Sequence, residues 1–168
     1  RDVANAQAND PYFPQYRVFD WFAGHTWASG IFGTPNGLNQ ETGGEALLLH
    51  YGVYLYGVAT ANEALATTGQ AMLMTEARSL QKYWQVLPEA SGDPYPPQYE
   101  HDVVGMVSEH TVEFGTAFGA ANFFVYGVQM GPVWSIAHIG LSMPWLRKGF
   151  PAFQRSCQED TLCDESGF

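Results

Sequence analysis

Glu41 and Glu45, two carboxylates near the start of the chain, are four residues apart, a spacing that suggests acid–base catalysis. On a helix that begins at Asn39, a plausible N-cap, they would lie on one face. The helix macrodipole would keep Glu41 ionised, which suits a general base better than a general acid. Repulsion between the two carboxylates acts the other way and could raise one pKa. Acidic residues also simply favour helix starts, so the residues alone leave both interpretations open.

An aromatic, glycine-rich segment at residues 19–30 precedes this helix and carries further candidates for ligand binding. Asp20 could have a raised pKa in an apolar setting and donate a proton, or it could accept hydrogen bonds from loop amides, which we favour. His25 could hydrogen-bond a sugar hydroxyl, brace Asp20 or serve as a structural donor. Flat aromatic rings suit the apolar faces of sugars. The candidates for such stacking are Trp21, Trp27 and Tyr12.

Two consecutive glycines, Gly43 and Gly44, lie between the two glutamates. Each costs about 1 kcal/mol in a helix interior relative to alanine, so something other than helix propensity must stabilise this turn. The glycines could let a sugar ring approach the backbone closely, or they could be a local weakness without function.

The composition limits the classes of function. A chain of 168 residues predicts one domain, and 46% hydrophobic with 14% charged residues indicates a globular one. The net charge of −10 excludes nucleic-acid binding, which draws most of its affinity from Lys and Arg. Binding of a neutral polysaccharide does not require a positively charged surface, and an aromatic content of 15% suits a sugar-binding protein.

The chain contains no motif typical of serine hydrolases, nucleotide-binding proteins or zinc enzymes. It has no Gly-x-Ser-x-Gly elbow, no P-loop and no His-Glu-x-x-His, so we predict no cofactor. We also predict no metal site, because Glu45 and His50 are five residues apart and do not share a helical face. The longest uncharged apolar run, residues 46–61, is shorter than the about 20 residues of a bilayer span and predicts a buried helix.

Two cysteines, Cys157 and Cys163, form the chain's only cysteine pattern. Their spacing fits a small disulfide in a secreted protein, but also two unpaired thiols. Residues 1–14 are polar and lack an apolar segment, which predicts no signal peptide there.

The periodicity of the chain predicts a mainly α fold with long irregular loops. Residues 1–39 have no sustained period and are expected to form an irregular segment over a scaffold. Leu47, Val53 and Tyr54 of the first helix should pack inward, while its glutamates face an open cleft. A Pro-rich loop at residues 88–99 and a strand or hairpin within residues 103–118 should interrupt the helices. The predicted helices lie at residues 39–60, 65–87, 131–140 and 143–157.

Two segments of the chain resemble a known family. Asp20-Trp21-Phe22-Ala23-Gly24-His25-Thr26-Trp27-Ala28-Ser29-Gly30 and Asn39-Gln40-Glu41-x-x-x-Glu45-Ala46 are similar to signature segments of glycoside hydrolase family 81, the endo-β-1,3-glucanases or laminarinases. Further matches follow in the family's order, so that the resemblance covers nearly the whole chain. They are Glu76-Ala77-Arg78, Tyr83-Trp84, Tyr95-Pro96-Pro97, Val104-Gly105, Phe118-Gly119-Ala120 and Gly127-Val128-Gln129-Met130.

The resemblance implies a fold and a function. The fold is part of an (α/α)6 toroid-type barrel, and since six helical hairpins do not fit in 168 residues, residues 1–168 are expected to be one partial catalytic domain. The function is endo-hydrolysis of β-1,3-glucosidic bonds with inversion, on a β-1,3-glucan outside the cell or in the cell wall. The alternative is a non-catalytic β-glucan-binding protein on the same scaffold.

The resemblance also implies roles for the two glutamates. Glu41 matches the family's base that activates water, and Glu45 matches a supporting residue. The family's proton donor is an Asp in an earlier Asn-Asp-His-His-Phe-His segment, which these 168 residues lack. We therefore expect the isolated chain to hydrolyse laminarin negligibly.

Overall fold

Helices form most of the regular structure in the computed structural model, which describes residues 3–5, 7–30, 34–87, 94–131 and 135–166. This confirms the predicted mainly α class. The α-helices are α1 (Gly43–Ala59), α2 (Glu63–Ser79), α3 (Asn122–Met130), α4 (Ala137–Gly140), α5 (Met143–Glu159) and α6 (Thr161–Ser166). The strands are β1 (Phe19–Asp20), β2 (His25–Thr26), β3 (Asn39–Gln40), β4 (Met106–Ser108) and β5 (Val112–Glu113).

The first two helices form a tight hairpin. The side chain of Asn62, the N-cap of α2, accepts a hydrogen bond from the backbone N–H of Leu65. A Cβ on Gly57 would meet the backbone of α2, and one on Gly69 would meet the backbone of α1, so these glycines let the two helices approach closely. The second helix is confirmed, and at its end the chain continues as a π-helical turn, Leu80–Trp84.

The burial of α1 differs from the prediction of a buried helix. Leu47 is 2% exposed and packs inward as expected, whereas Val53 and Tyr54 are only half-buried. An apolar run therefore does not identify the buried side of a helix, because it carries no amphipathic pattern. The outer face of α1 leaves large apolar side chains exposed, namely Leu48, Leu49, Leu55, Tyr56 and Val58.

Two small antiparallel sheets hold the loops. β1 pairs with β2, and β3 joins the β4–β5 hairpin, which confirms the hairpin predicted within residues 103–118. The prediction that Asn39 caps α1 is wrong: Asn39 pairs with Ser108 in the sheet, and α1 begins only at Gly43. Strand pairing with the distant hairpin overrides the local capping preference of Asn39.

The last third of the chain contains two helices that periodicity did not predict, α3 and α6, and one that it did, α5. Of the helix predicted at residues 131–140 the structure forms α4, while residues 132–134 lie outside the described residues. A disulfide joins Cys157 to Cys163 and ties α5 to α6, which settles the question that their spacing left open.

Three apolar clusters connect these elements. The largest lies between α1, α2 and the π-helical turn, with Leu47, Leu80 and Trp84 at its centre. A second joins α3 to α5 around Tyr126 and Trp145. The site described below lies where elements of these two clusters meet.

Candidate active site

Glu41 lies in the short link between β3 and α1, and its neighbours in the link are fixed by side-chain hydrogen bonds. Gln40 is 1% exposed; its amide donates to the Thr42 carbonyl at 2.7 Å and accepts from the Ala28 N–H at 2.9 Å. The Thr42 hydroxyl does not cap the helix but donates to the Val128 carbonyl of α3 at 2.9 Å. The link is therefore attached to both the aromatic segment and α3.

The backbone of Glu41 is itself held by two buried side chains. Its carbonyl accepts one hydrogen bond from Trp84 Nε1 at 3.1 Å and another from Gln129 Nε2 at 2.7 Å. Both donors come from residues at most 1% exposed. Because the donors belong to separate elements, the π-helical turn and α3, the direction of the Glu41 side chain depends on the packing of the whole domain.

The Glu41 carboxylate is half-buried, and its Oε1 accepts a hydrogen bond from the Ala117 N–H at 3.0 Å. Burial raises the pKa of this carboxyl above its ordinary value, and the charge of Glu45 adds a smaller contribution in the same direction. Hydrogen bonds from Ala117 and Thr116 oppose the rise without cancelling it. The macrodipole argument for an easily ionised Glu41 is therefore wrong, since Glu41 precedes the helix and is partly desolvated.

Glu45 is exposed in the first turn of α1. It does not share a helical face with Glu41, because Glu41 is not part of the helix, which corrects the geometry expected from their spacing. Both glutamates nevertheless line one cavity of about 820 Å³. The cavity is lined by Ala28, Ser29, Asn39, Glu41, Thr42, Glu45, Phe118, Gly127, Val128, Met130, Gly131, Phe150 and Phe153.

Phenylalanines form the aromatic part of this cavity. Phe118 is 67% exposed and comes from the turn that follows β5, while Phe150, 50% exposed, and Phe153 come from α5. Sequence reasoning did not select any of the three. The available signals were weak: Phe118 lies in a segment that matches the family, and Phe150 and Phe153 are three residues apart on a predicted helix.

The two glycines beside Glu41 are explained by protein packing. A Cβ on Gly43 would overlap the Leu80 side chain, and one on Gly44 would lie 2.7 Å from the Gly131 carbonyl. Both residues are buried, in the first turn of α1. Neither alternative offered for them holds, because the glycines let α1 start close against the protein rather than against a sugar.

In the aromatic segment at residues 19–30, the Asp20 carboxylate holds the local backbone through hydrogen bonds. Asp20 accepts hydrogen bonds from the N–H groups of Phe22 and Ala23 at 2.8 and 3.1 Å, and from Trp27 Nε1 at 3.2 Å. Burial acts to raise the pKa of Asp20, but these hydrogen bonds together with His25 lower it overall. Of the two interpretations, the structure favours the acceptor of loop amides over the proton donor.

The other candidates in this region do not line the cavity. His25 is 3% exposed, packs against Trp27 and Trp84, and places Nδ1 2.9 Å from the Thr26 carbonyl, which gives it a packing position. Trp21 is 45% exposed but contacts Tyr16 and Phe19 edge-on. Within the described residues, the lining of the cavity next to Glu41 includes none of the five candidates Tyr12, Asp20, Trp21, His25 and Trp27.

A buried polar network attaches the aromatic segment to the helical hairpin. The backbone N–H and the hydroxyl of Thr26 donate to Glu76 Oε2 at 2.8 and 2.9 Å, and His50 Nε2 lies 3.0 Å from the hydroxyl. Glu76 and His50 are fully buried in α2 and α1. Sequence reasoning considered His50 only as a metal ligand and missed this network.

The described part of the structure shows neither a candidate metal centre nor a membrane-spanning helix. Among the residues that the structure describes, no cluster of three or more His, Cys, Asp and Glu side chains could hold a metal ion. Across the same part of the chain, no helix is long and apolar enough to cross a membrane.

Two carboxylates in a cavity with aromatic walls, one with a raised pKa, are typical of the glycoside hydrolase class. Comparison with known families assigns the chain within that class. The model of the glycosyl hydrolase family 81 C-terminal domain matches residues 1–163, and the chain belongs to this family. The family predicted from the sequence is confirmed.

Individual relatives agree with this assignment. The chain is similar to the glucan endo-1,3-beta-D-glucosidase of Thermobifida fusca, with 41% identity over 64% of this chain and 14% of the relative. It is similar to glucan endo-1,3-beta-D-glucosidase 2 of Saccharomyces cerevisiae, with 31% identity over 80% of this chain and 17% of the relative. The chain thus spans less than a fifth of the length of these two relatives.

A solved structure supports the fold. The glycoside hydrolase family 81 structure from Clostridium thermocellum superimposes with a TM-score of 0.82 at 28% identity, over 94% of this chain and 22% of the other.

Proposed function

We propose that the protein hydrolyses internal β-1,3-glucosidic bonds of β-glucans such as laminarin or cell-wall glucan, with inversion and with Glu41 as the general base. The observation that carries the proposal is the Glu41 carboxylate, half-buried at the cavity and oriented by the Ala117 N–H. The names of the two glucan endo-1,3-beta-D-glucosidase relatives support the bond type.

The proposed mechanism uses two carboxyl groups on opposite sides of the sugar. The base takes a proton from water, which attacks the anomeric carbon, while an acid protonates the departing glycosidic oxygen. Inverting enzymes leave room for the water by separating these groups by roughly 6.5 to 9.5 Å. A raised pKa improves Glu41 as a proton acceptor, provided that the working pH keeps it ionised.

Glu45 has a supporting role in this proposal. It lines the same cavity but is exposed, so it can hydrogen-bond the attacking water or adjust the charge around Glu41. The family resemblance implies that the acid is the aspartate of an Asn-Asp-His-His-Phe-His segment, which is not among residues 1–168. Asp20 is a poor substitute, because hydrogen bonds lower its pKa.

We also propose that the α1–α2 hairpin belongs to an (α/α)6 toroid-type barrel of a larger catalytic domain. The exposed apolar face of α1 supports this, since such a face is normally covered by another element. We propose an extracellular or cell-wall location as well. The Cys157–Cys163 disulfide supports it, because disulfides persist in oxidising compartments.

Laminarin hydrolysis tests the proposal. The protein expressed from its complete reading frame should release oligosaccharides from laminarin, with the α-anomer appearing first by proton NMR. The 168-residue chain alone should release almost none, and a β-1,4-linked glucan is the substrate control. Binding of laminarin without hydrolysis by the complete protein would favour the non-catalytic alternative, and initial β-anomer would contradict inversion.

A further inference from the structure

We propose that Phe118 is a sugar-stacking residue, and that its ring forms the wall of a glucosyl subsite directly beside Glu41. This inference rests on the proposed function, because it identifies part of the binding surface for the same β-glucan. Phe118 and Glu41 line the same cavity, and Phe118 is adjacent in sequence to Ala117, whose N–H donates to the Glu41 carboxylate at 3.0 Å.

The turn that carries Phe118 is closed by its own hydrogen bonds. Thr116 and Gly119 exchange backbone hydrogen bonds at 2.9 and 3.1 Å, and the Thr116 hydroxyl accepts from the Phe118 N–H at 3.2 Å. Gly119 has a φ of 141°, which strongly favours glycine. The position of Phe118 is therefore set by the turn rather than by burial of its ring.

The Phe118 ring is supported on one side and accessible to solvent. It stacks against Phe124 of α3, with centroids 6.2 Å apart and planes inclined by 25°, yet it remains 67% exposed. A phenyl ring has no hydrogen-bonding group that would gain from exposure to water. The turn therefore presents this ring to the cavity, where a ligand can contact it.

The remaining lining indicates the chemistry of that ligand. Phe150 contributes a second ring that is 50% exposed, while Glu41 and Glu45 supply hydrogen-bond acceptors. A pyranose ring matches this combination, because its C–H faces are apolar and its hydroxyls donate around the edge.

Two substitutions at Phe118 test the subsite in the protein expressed from its complete reading frame. Phe118→Ala should raise both KM and the Kd for laminari-oligosaccharides about tenfold, whereas Phe118→Trp should stay near wild type because it keeps an aromatic face. Affinity is measured by calorimetry in a Glu41→Gln background, so that the ligand is not consumed. Circular dichroism and thermal melting check that each variant folds.

Phe22→Ala is the matched control, because the Phe22 ring is also exposed but does not line this cavity. Its Kd should equal that of the Glu41→Gln background alone. If the wild type hydrolyses laminarin and a folded Phe118→Ala variant binds within twofold of its background, the inference is wrong while the proposed function stands. A wild type that neither binds nor hydrolyses β-glucan would defeat both.

Discussion

The aromatic segment at residues 19–30 and the cavity at Glu41 contain the same kinds of side chain, but the surroundings of those side chains differ. In the segment, Asp20 accepts hydrogen bonds from two backbone N–H groups and one indole, and its pKa is lowered. In the cavity, Glu41 is partly desolvated with fewer donors, and its pKa is raised. The balance between desolvation and hydrogen-bond donors, rather than residue type, decides in which direction the pKa of each carboxyl shifts.

The aromatic rings of the two regions differ in whether they line the cavity, although Phe22 of the segment is fully exposed. Other rings of the segment contact one another, as Trp21 contacts Phe19, or pack against the π-helical turn, as His25 does against Trp84. Those of the cavity, Phe118 and Phe150, are half or more exposed. We infer that the segment acts as a structural support and that the cavity binds the substrate. Substitutions in the two regions should therefore have separable effects.

The largest effect is expected from Glu41→Gln. The amide keeps the shape but cannot take a proton from water, so kcat on laminari-oligosaccharides should fall about a thousandfold or more while affinity changes little. Steady-state kinetics and calorimetry on the protein from its complete reading frame measure the two quantities. Glu45→Gln should cost less, because Glu45 only supports the base.

Asp20→Asn is the matching substitution in the aromatic segment. It loses the acceptor for Trp27 Nε1 and should lower the free energy of unfolding by about 1 kcal/mol, with kcat retained at a temperature where the protein is folded. A large loss of kcat in folded Asp20→Asn, with little loss in Glu41→Gln, would reverse the roles of the two regions. A dead Glu45→Gln beside an active Glu41→Gln would mean that the two glutamates are interchanged.

Thr26→Val tests the support that the buried network gives to the aromatic segment. It removes the hydroxyl that donates to Glu76 and faces His50, so the buried network loses these contacts and keeps only the Thr26 N–H and His50 beside Glu76 Oε2. The free energy of unfolding in urea should fall by about 1–3 kcal/mol. Thr111→Val, at an exposed threonine, is the control and should change stability by less than about 0.5 kcal/mol. Equal stabilities for the two variants would show that the network does not hold the segment.

The smallest expected effect is a shift in the pH dependence of activity. Activity should fall on the acid side as Glu41 becomes protonated, at a pH above the ordinary glutamate value because burial raises its pKa. Thr116→Val removes a hydrogen bond that lowers this pKa, so the acid limb of kcat/KM should move to higher pH. Glu45→Gln removes a like charge, so the limb should move to lower pH. Shifts of the same sign in the two variants would contradict the assignment of the limb to Glu41.

The sequence predicted the elements that have a strong local signal. An apolar run identified α1, helical periodicity identified α2 and α5, and β-branched residues identified the β4–β5 hairpin. It missed α3, whose sequence is short and rich in aromatic residues. Tertiary packing decides whether a segment of that kind is helical.

The candidate site was predicted in part and for an incomplete reason. Glu41 was selected by its match to the family's motif and as a helical partner of Glu45, whereas pairing of Asn39 with Ser108 keeps Glu41 outside the helix. The two glutamates lie at one cavity because Trp84 and Gln129 hold the Glu41 carbonyl, a contact between residues far apart in sequence. Periodicity reports only near neighbours, so neither that contact nor the exposed ring of Phe118 could be predicted from it.

Azide rescue of Glu41→Gln tests the central claim, that Glu41 is the base, most directly. A small anionic nucleophile needs no deprotonation and can replace the activated water. With an activated laminari-oligosaccharide, azide should restore turnover of Glu41→Gln and give the inverted α-glycosyl azide, while leaving wild-type turnover unchanged. Failure of azide to restore turnover in a variant that still binds the oligosaccharide, or formation of the β-glycosyl azide, would contradict the account.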